Sequence, residues 1–70
     1  MKISLRVKDK ESGEFIDDTD RLMDAAGLDL LMGYEDIGVQ SDGTAVVFDK
    51  CGNFGYLNPD RFQLIIMSDF

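Results

Sequence analysis

Turn signals cut this chain into short runs, and that punctuation limits its folds more than any other feature. Ser41-Asp42-Gly43, Lys50-Cys51-Gly52-Asn53 and Asn58-Pro59-Asp60 combine residues that accept positive φ, fix φ or bond their own backbone. The stretch from Asp9 to Glu14, with Gly13, makes a further turn. Before it, Ile3, Leu5 and Val7 alternate with Lys2, Ser4, Arg6 and Lys8, the period of a half-buried strand. Phe15 and Ile16 add a short returning strand. Asp36–Gln40, Thr44–Asp49, Phe54–Leu57 and Phe62–Met67 then read as short strands, and the second half as an antiparallel meander.

One segment breaks the strand pattern. Asp17-Asp18-Thr19-Asp20 is a helix start, since short oxygen-bearing side chains accept from the free N–H groups of a first turn. From Arg21 to about Met32, Met23, Gly27, Leu30, Leu31 and Tyr34 form a stripe at helical spacing. Gly27 costs a helix about 1 kcal/mol relative to Ala. Two arrangements are open: one continuous helix, or a helix over 19–26 followed by a short turn over 28–33. The expected fold is α+β: an antiparallel meander sheet of four to five strands with one helix packed on one face. It occupies residues 1–70 as a single domain, with no repeat and no linker.

Composition removes several functions. A chain of 70 residues buries roughly 60% of its unfolded surface on folding, near the lower limit for independent stability. Histidine and tryptophan are absent, and Cys51 is the one cysteine. A Ser-His-Asp triad, a Cys-His dyad, a Cys/His zinc site and an internal disulfide are therefore all excluded. The start alternates apolar and polar residues where a signal peptide needs a continuous apolar run, and no run is long enough to span a bilayer. A cytosolic protein is expected.

Charge is the strongest functional signal. Fourteen acidic against seven basic side chains give net −7, and eleven of the acids are aspartates. The imbalance is concentrated: residues 11–36 alone carry −8, while residues 1–10 carry +3. Such a segment repels nucleic acid and anionic lipid and fits a basic surface. Glu11, Glu14, Asp17, Asp18, Asp20, Asp24, Asp29, Glu35 and Asp36 are accordingly the candidate partner-binding residues. If they share one face they act together; if scattered, they serve solubility.

No chemical constellation competes with that reading. An EF-hand counted from Asp18 fails, because Leu22 and Met23 stand at its fifth and sixth positions. Glu35 and Asp36 are adjacent and point to opposite faces of a strand, so they form no acid–base pair. Cys51 has neither a histidine nor a second thiol to work with. Gly52-Asn53-Phe54-Gly55 lacks the helix a phosphate cradle needs, so its glycines serve turns and bulges. Tyr34, Phe48, Phe54, Tyr56 and Phe62 form an aromatic set without the cationic groove of a nucleic-acid platform, and core packing and cross-strand pairs account for them. Phe15, Tyr34, Tyr56 and Phe70 are candidate apolar anchors if exposed. No catalytic residue, metal site or cofactor is expected.

The run from Tyr34 to Ile66, with Tyr-Glu-Asp-Ile-Gly-Val, Asp-Gly-Thr-Ala-Val-Val-Phe-Asp-Lys-Cys-Gly-Asn-Phe-Gly-Tyr-Leu and Pro-Asp-Arg-Phe, resembles small proteins of bacteriophages and other mobile elements. In size, acidity and build the chain is similar to phage-encoded anti-CRISPR proteins, many of which occupy the nucleic-acid site of a CRISPR effector, some as DNA mimics. The resemblance implies a monomeric inhibitor in the cytosol of a bacterial host. Its partner would be a basic surface on a nucleic-acid-binding protein such as a CRISPR effector subunit, with no direct contact to nucleic acid or membrane. It assigns no individual residue. The alternative is a small phage accessory or structural module docking through a sheet edge or an apolar patch.

Overall fold

A computed structural model describes the backbone of residues 2–69 and the side chains of residues 4–68. The strands are β1 (Lys2–Asp9), β2 (Phe15–Ile16), β3 (Tyr34–Val39), β4 (Ala45–Asp49), β5 (Phe54–Tyr56) and β6 (Phe62–Asp69). One helix, α1 (Thr19–Ala25), and one 3-10 turn, Leu30–Met32, lie between β2 and β3.

The fold is α+β, but the strands form two three-stranded antiparallel sheets, ordered β2-β1-β6 and β3-β4-β5, and not one meander of four to five strands. The reason lies in β6. It does not continue from β5: the amides of Arg61 and Phe62 both donate to the Asn58 carbonyl, at 3.1 and 2.8 Å, and turn the chain away. With eight residues it matches β1, also eight, and pairs along its whole length from Asp9↔Phe62 to Lys2↔Asp69. The three residues of β5 offer a shorter ladder.

Both sheets and the helix close on one core. Val7 and Ile16 come from the first sheet, Ala45 and Val47 from the second, Leu22 and Met23 from α1, and Leu57 from the loop after β5. Fully burying a side chain such as Met23, Leu57, Val7 or Val47 stabilises by about 1.5–3 kcal/mol.

Gly27 ends α1. At φ +77° it lets the Gly27 amide donate to the Asp24 carbonyl at 3.0 Å and the Leu28 amide to the Met23 carbonyl at 2.9 Å. This pair of bonds is a Schellman closure, and Leu28 packs on the core beside Met23 as that motif favours. The helical stripe thus breaks after its first member: Leu31 is 91% exposed and Leu30 is also exposed, although Met23 is buried. The helix ends against β5 at Gly55, where a Cβ would sit 2.1 Å from the Ala26 carbonyl oxygen. Gly55 therefore permits close approach of helix backbone to strand, and not the turn or bulge its sequence context implies.

Two of the hairpins share a short local pattern. Val7-Lys8-Asp9-Lys10 leads through Gly13 to Phe15, and Val47-Phe48-Asp49-Lys50 leads through Gly52 to Phe54. Each run makes a hairpin, pairing Lys8 with Phe15 and Phe48 with Phe54. The two differ by one residue in loop length, which masks the likeness in sequence.

Candidate functional site

The outer face of the second sheet carries the largest exposed aromatic grouping. In β4, Ala45, Val47 and Asp49 are buried on the inner side, so Val46 and Phe48 point outward. Register brings partners to them: Val46 lies between Gly38 and Tyr56, and Phe48 between Asp36 and Phe54. Phe54 is 55% and Tyr56 52% exposed, and Phe48 and Val39 are exposed too. Val46, only 6% exposed, lies outside the central core and is covered by these neighbours.

The rings stand at angles. Phe54 and Tyr56 meet edge to face with centroids 5.5 Å apart; Phe48 and Phe54 are tilted at 6.3 Å. Edge-to-face contacts favour this spacing. Between the rings and Gly38, Val39 and Gln40 lies an open cleft of about 350 Å³. Gly38 forms part of its floor: a Cβ there would come within 3.3 Å of Phe48 Cε2, so the absent side chain leaves the ring room to lie over the strand. Among the described residues no charged side chain lines the cleft; Asp36 stands beside it, in register with Phe48.

All nine candidate carboxylates are exposed. Their local duties differ. Asp17 holds the Arg6 guanidinium with both oxygens, at 2.8 and 3.0 Å, and Arg6 in turn lies 4.1 Å above the Phe15 ring. Glu11 meets Arg61 Nε at 3.4 Å. Asp18 caps α1 by accepting from the Asp20 amide, and Asp29 caps the 3-10 turn by accepting from the Leu31 amide. Asp36 accepts from the Ile37 amide. The side chains of Glu14, Asp20, Asp24 and Glu35 form no hydrogen bond or ion pair among the described residues. Asp20 and Asp24, one turn apart, share the solvent side of α1, opposite Leu22 and Met23. A bulge between Tyr34 and Asp36 leaves Glu35 as the extra residue of β3.

The abundance of aspartate over glutamate has a local cause. Asp9, Asp18, Asp29, Asp42 and Asp49 each accept the amide of the residue two places on, at 2.9–3.0 Å, and Asn58 does the same. Only a short side chain reaches its own backbone in this way.

A second, smaller cleft of about 170 Å³ lies between α1 and the start of β6, bordered by Asp9, Arg21, Asp24 and Arg61. Its charges are mixed in sign. Burial, with the Asp36 charge adding to it, raises the Tyr34 phenol above its ordinary value.

Of the four expected anchors, Tyr56 and Phe15 are exposed, the latter beneath Arg6; Tyr34 packs against the core; Phe70 lies outside the described residues. Phe48 and Phe54 do form the expected cross-strand pair, but on the exposed side of the sheet and not in the core. The signal for them was present: β4 is apolar at successive positions, so one of its faces had to look outward.

Among the described residues no group of three or more His, Cys, Asp or Glu gathers as a metal site, and no helix is long and apolar enough to cross a membrane. No family model, no curated protein and no solved structure matches this chain.

Proposed function

We propose that this chain is a non-catalytic interaction protein that docks on a basic protein surface through the outer face of its second sheet. The observation that carries the reading is the exposure together of Phe48, Phe54 and Tyr56 around one cleft. Apolar aromatic patches of this kind supply binding energy at protein interfaces, while charge supplies rate and orientation. Net −7 selects a basic partner, and Asp20, Asp24, Glu14 and Glu35, without a partner among the described residues, are placed to steer it.

In its sharper form the partner is a nucleic-acid-binding protein of the bacterial cytosol, such as a CRISPR effector subunit, and docking occludes its nucleic-acid site. Asp20 and Asp24, exposed together on the solvent side of α1, support this form. The test is competition between this protein and DNA for a purified basic nucleoprotein. Phe54→Ser with Tyr56→Ser is expected to abolish binding. Reversing Glu14, Asp20 and Asp24 to Lys is expected to abolish competition with DNA. Binding unaffected by the aromatic substitutions overturns the reading, and competition unaffected by the charge reversals overturns the occlusion mechanism.

A second reading has its own support. β6 is an edge strand of eight residues with Ile66 and Met67 exposed, and it carries neither proline nor lysine. Edges of that type pair with other strands. A dimer in light scattering, dispersed by Ile66→Lys, favours an accessory module that docks by its edge; a monomer at all concentrations removes it.

A further inference from the structure

Two of the molecule's own arginines are held by the same pair of groups, an aromatic ring and a carboxylate. Arg6 lies 4.1 Å above the Phe15 ring while Asp17 binds its guanidinium. Arg61 lies 5.4 Å from the Phe62 ring centroid while Asp9 and Glu11 bind it, at 3.5 and 3.4 Å. The outer face of the second sheet repeats the pair a third time. Phe48, Phe54 and Tyr56 are the rings, and Asp36 is the carboxylate in register with Phe48. Asp36 Oδ1 accepts the Ile37 amide at 2.8 Å; Oδ2 has no partner among the described residues. This third site holds no cation of the chain itself, again among the described residues.

We infer that the cleft beside Phe48, Phe54 and Tyr56 receives an arginine side chain of a basic partner segment, its guanidinium over a ring face and paired with Asp36. The inference rests on the docking surface proposed above and names the chemistry of its anchor. Charge complementarity selects this occupant. Among the described residues no basic side chain lines the cleft, the charge in register with Phe48 is negative, and the whole chain carries −7. A guanidinium suits such a place better than an ammonium because it is planar, weakly hydrated and able to stack while donating to a carboxylate. The tilt between rings leaves faces open to the cleft instead of closing them against one another.

The experiment is an NMR titration of the full chain with a capped Gly-Arg-Gly-Arg-Gly peptide and with the same peptide carrying citrulline for arginine. Citrulline keeps length and shape and removes the charge. The arginine peptide is expected to shift the amides of Gly38, Phe48, Phe54 and Tyr56, with citrulline binding about three- to thirtyfold weaker. Asp36→Asn, which keeps an acceptor for the Ile37 amide, is expected to weaken the arginine peptide about two- to fivefold. Equal affinities for the two peptides on the unaltered protein overturn the inference without recourse to any variant. So do shifts confined to Asp20 and Asp24, or a dimer that Phe54→Ser disperses, since a second copy then covers the face. If Phe54→Ser abolishes partner binding while the two peptides bind alike, the docking surface stands and the arginine does not. If Phe54→Ser leaves partner binding unchanged, the docking surface itself is wrong.

Discussion

Asp9 and Asp49 hold equivalent places in the two sheets. Each is the last residue of its strand, each is 3% exposed, and each accepts with Oδ1 the amide of the residue two positions on, at 2.9 Å. Asp49 also accepts the backbone and side-chain N–H of Asn53, at 2.8 and 3.0 Å. These two carboxylates knit the turns after β1 and β4 to their strands.

Both carboxyls titrate below their ordinary range. For Asp9 the Glu11 amide is the main cause and outweighs burial, with Arg61 and the Ser12 amide adding to it. For Asp49 burial pushes upward, but the hydrogen bonds from Asn53, Cys51 and Gly52 together outweigh it. A carboxyl lowered on folding stabilises the native state above its unfolded value of about 3.9, and that contribution is lost as pH falls through the folded value. Thermal unfolding is therefore expected to be insensitive to pH near neutrality and to fall below about pH 4. Asp49→Asn is expected to lower the melting temperature at pH 7 and to flatten the acid limb of the profile. An unchanged acid limb in both Asp9→Asn and Asp49→Asn refutes the assignment.

Gly55→Ala places a methyl 2.1 Å from the Ala26 carbonyl oxygen, a backbone atom that cannot step aside. The expected loss is about 1–3 kcal/mol or more, the cost of overpacking, read as a lower denaturant midpoint. Gly38→Ala is the control. Its methyl meets only the Phe48 ring edge, at 3.3 Å, and that side chain is free to give. Equal midpoints for the two variants contradict the close approach of α1 to β5.

Met23 and Leu31 belong to one stripe in the sequence and to opposite environments in the fold, at 0% and 91% exposed. Met23→Ala is expected to cost about 2–5 kcal/mol. Leu31→Ala is expected to stay within about 0.5 kcal/mol of the starting protein. Chemical denaturation measures both, and comparable losses would restore a continuous helix through Gly27.

In the exposed Arg6–Asp17 pair one guanidinium nitrogen donates to both carboxylate oxygens. Its coupling in a double-mutant cycle with Arg6→Ala and Asp17→Ala is expected at about 0.2–1 kcal/mol, shrinking as salt is added. Arg6→Lys is expected to weaken that coupling, because an ammonium lacks the planar group that stacks on Phe15 and so holds the side chain in place. A coupling that survives molar salt means the pair is more enclosed than its exposure indicates.

Most element boundaries were legible from local chemistry. Alternation from Lys2 to Lys8 marked β1, Asp18 marked the start of α1, and the Gly, Asn, Asp and Pro clusters marked the ends of β4 and β5. Each of these depends on a residue's own backbone or on neighbours within a few positions. The sites were less legible. All nine acids were visible as charges, yet whether Asp17 was free or held by Arg6, eleven residues away, was not.

The amino-acid sequence by itself determined roughly where the strands lie, that a helix starts in the Asp17–Asp20 run, and that the chemistry of histidine and paired cysteines is closed to this chain; where that helix stops was left to the structure. Only the tertiary structure decided that β6 returns to β1 instead of extending the meander, that Gly55 admits the helix end, and that Phe48, Phe54 and Tyr56 face outward beside Asp36. The physical reason is range. Turn and cap preferences act over two to four residues, whereas strand partners and the face a strand shows are selected by which pairing buries the most apolar surface across the whole chain.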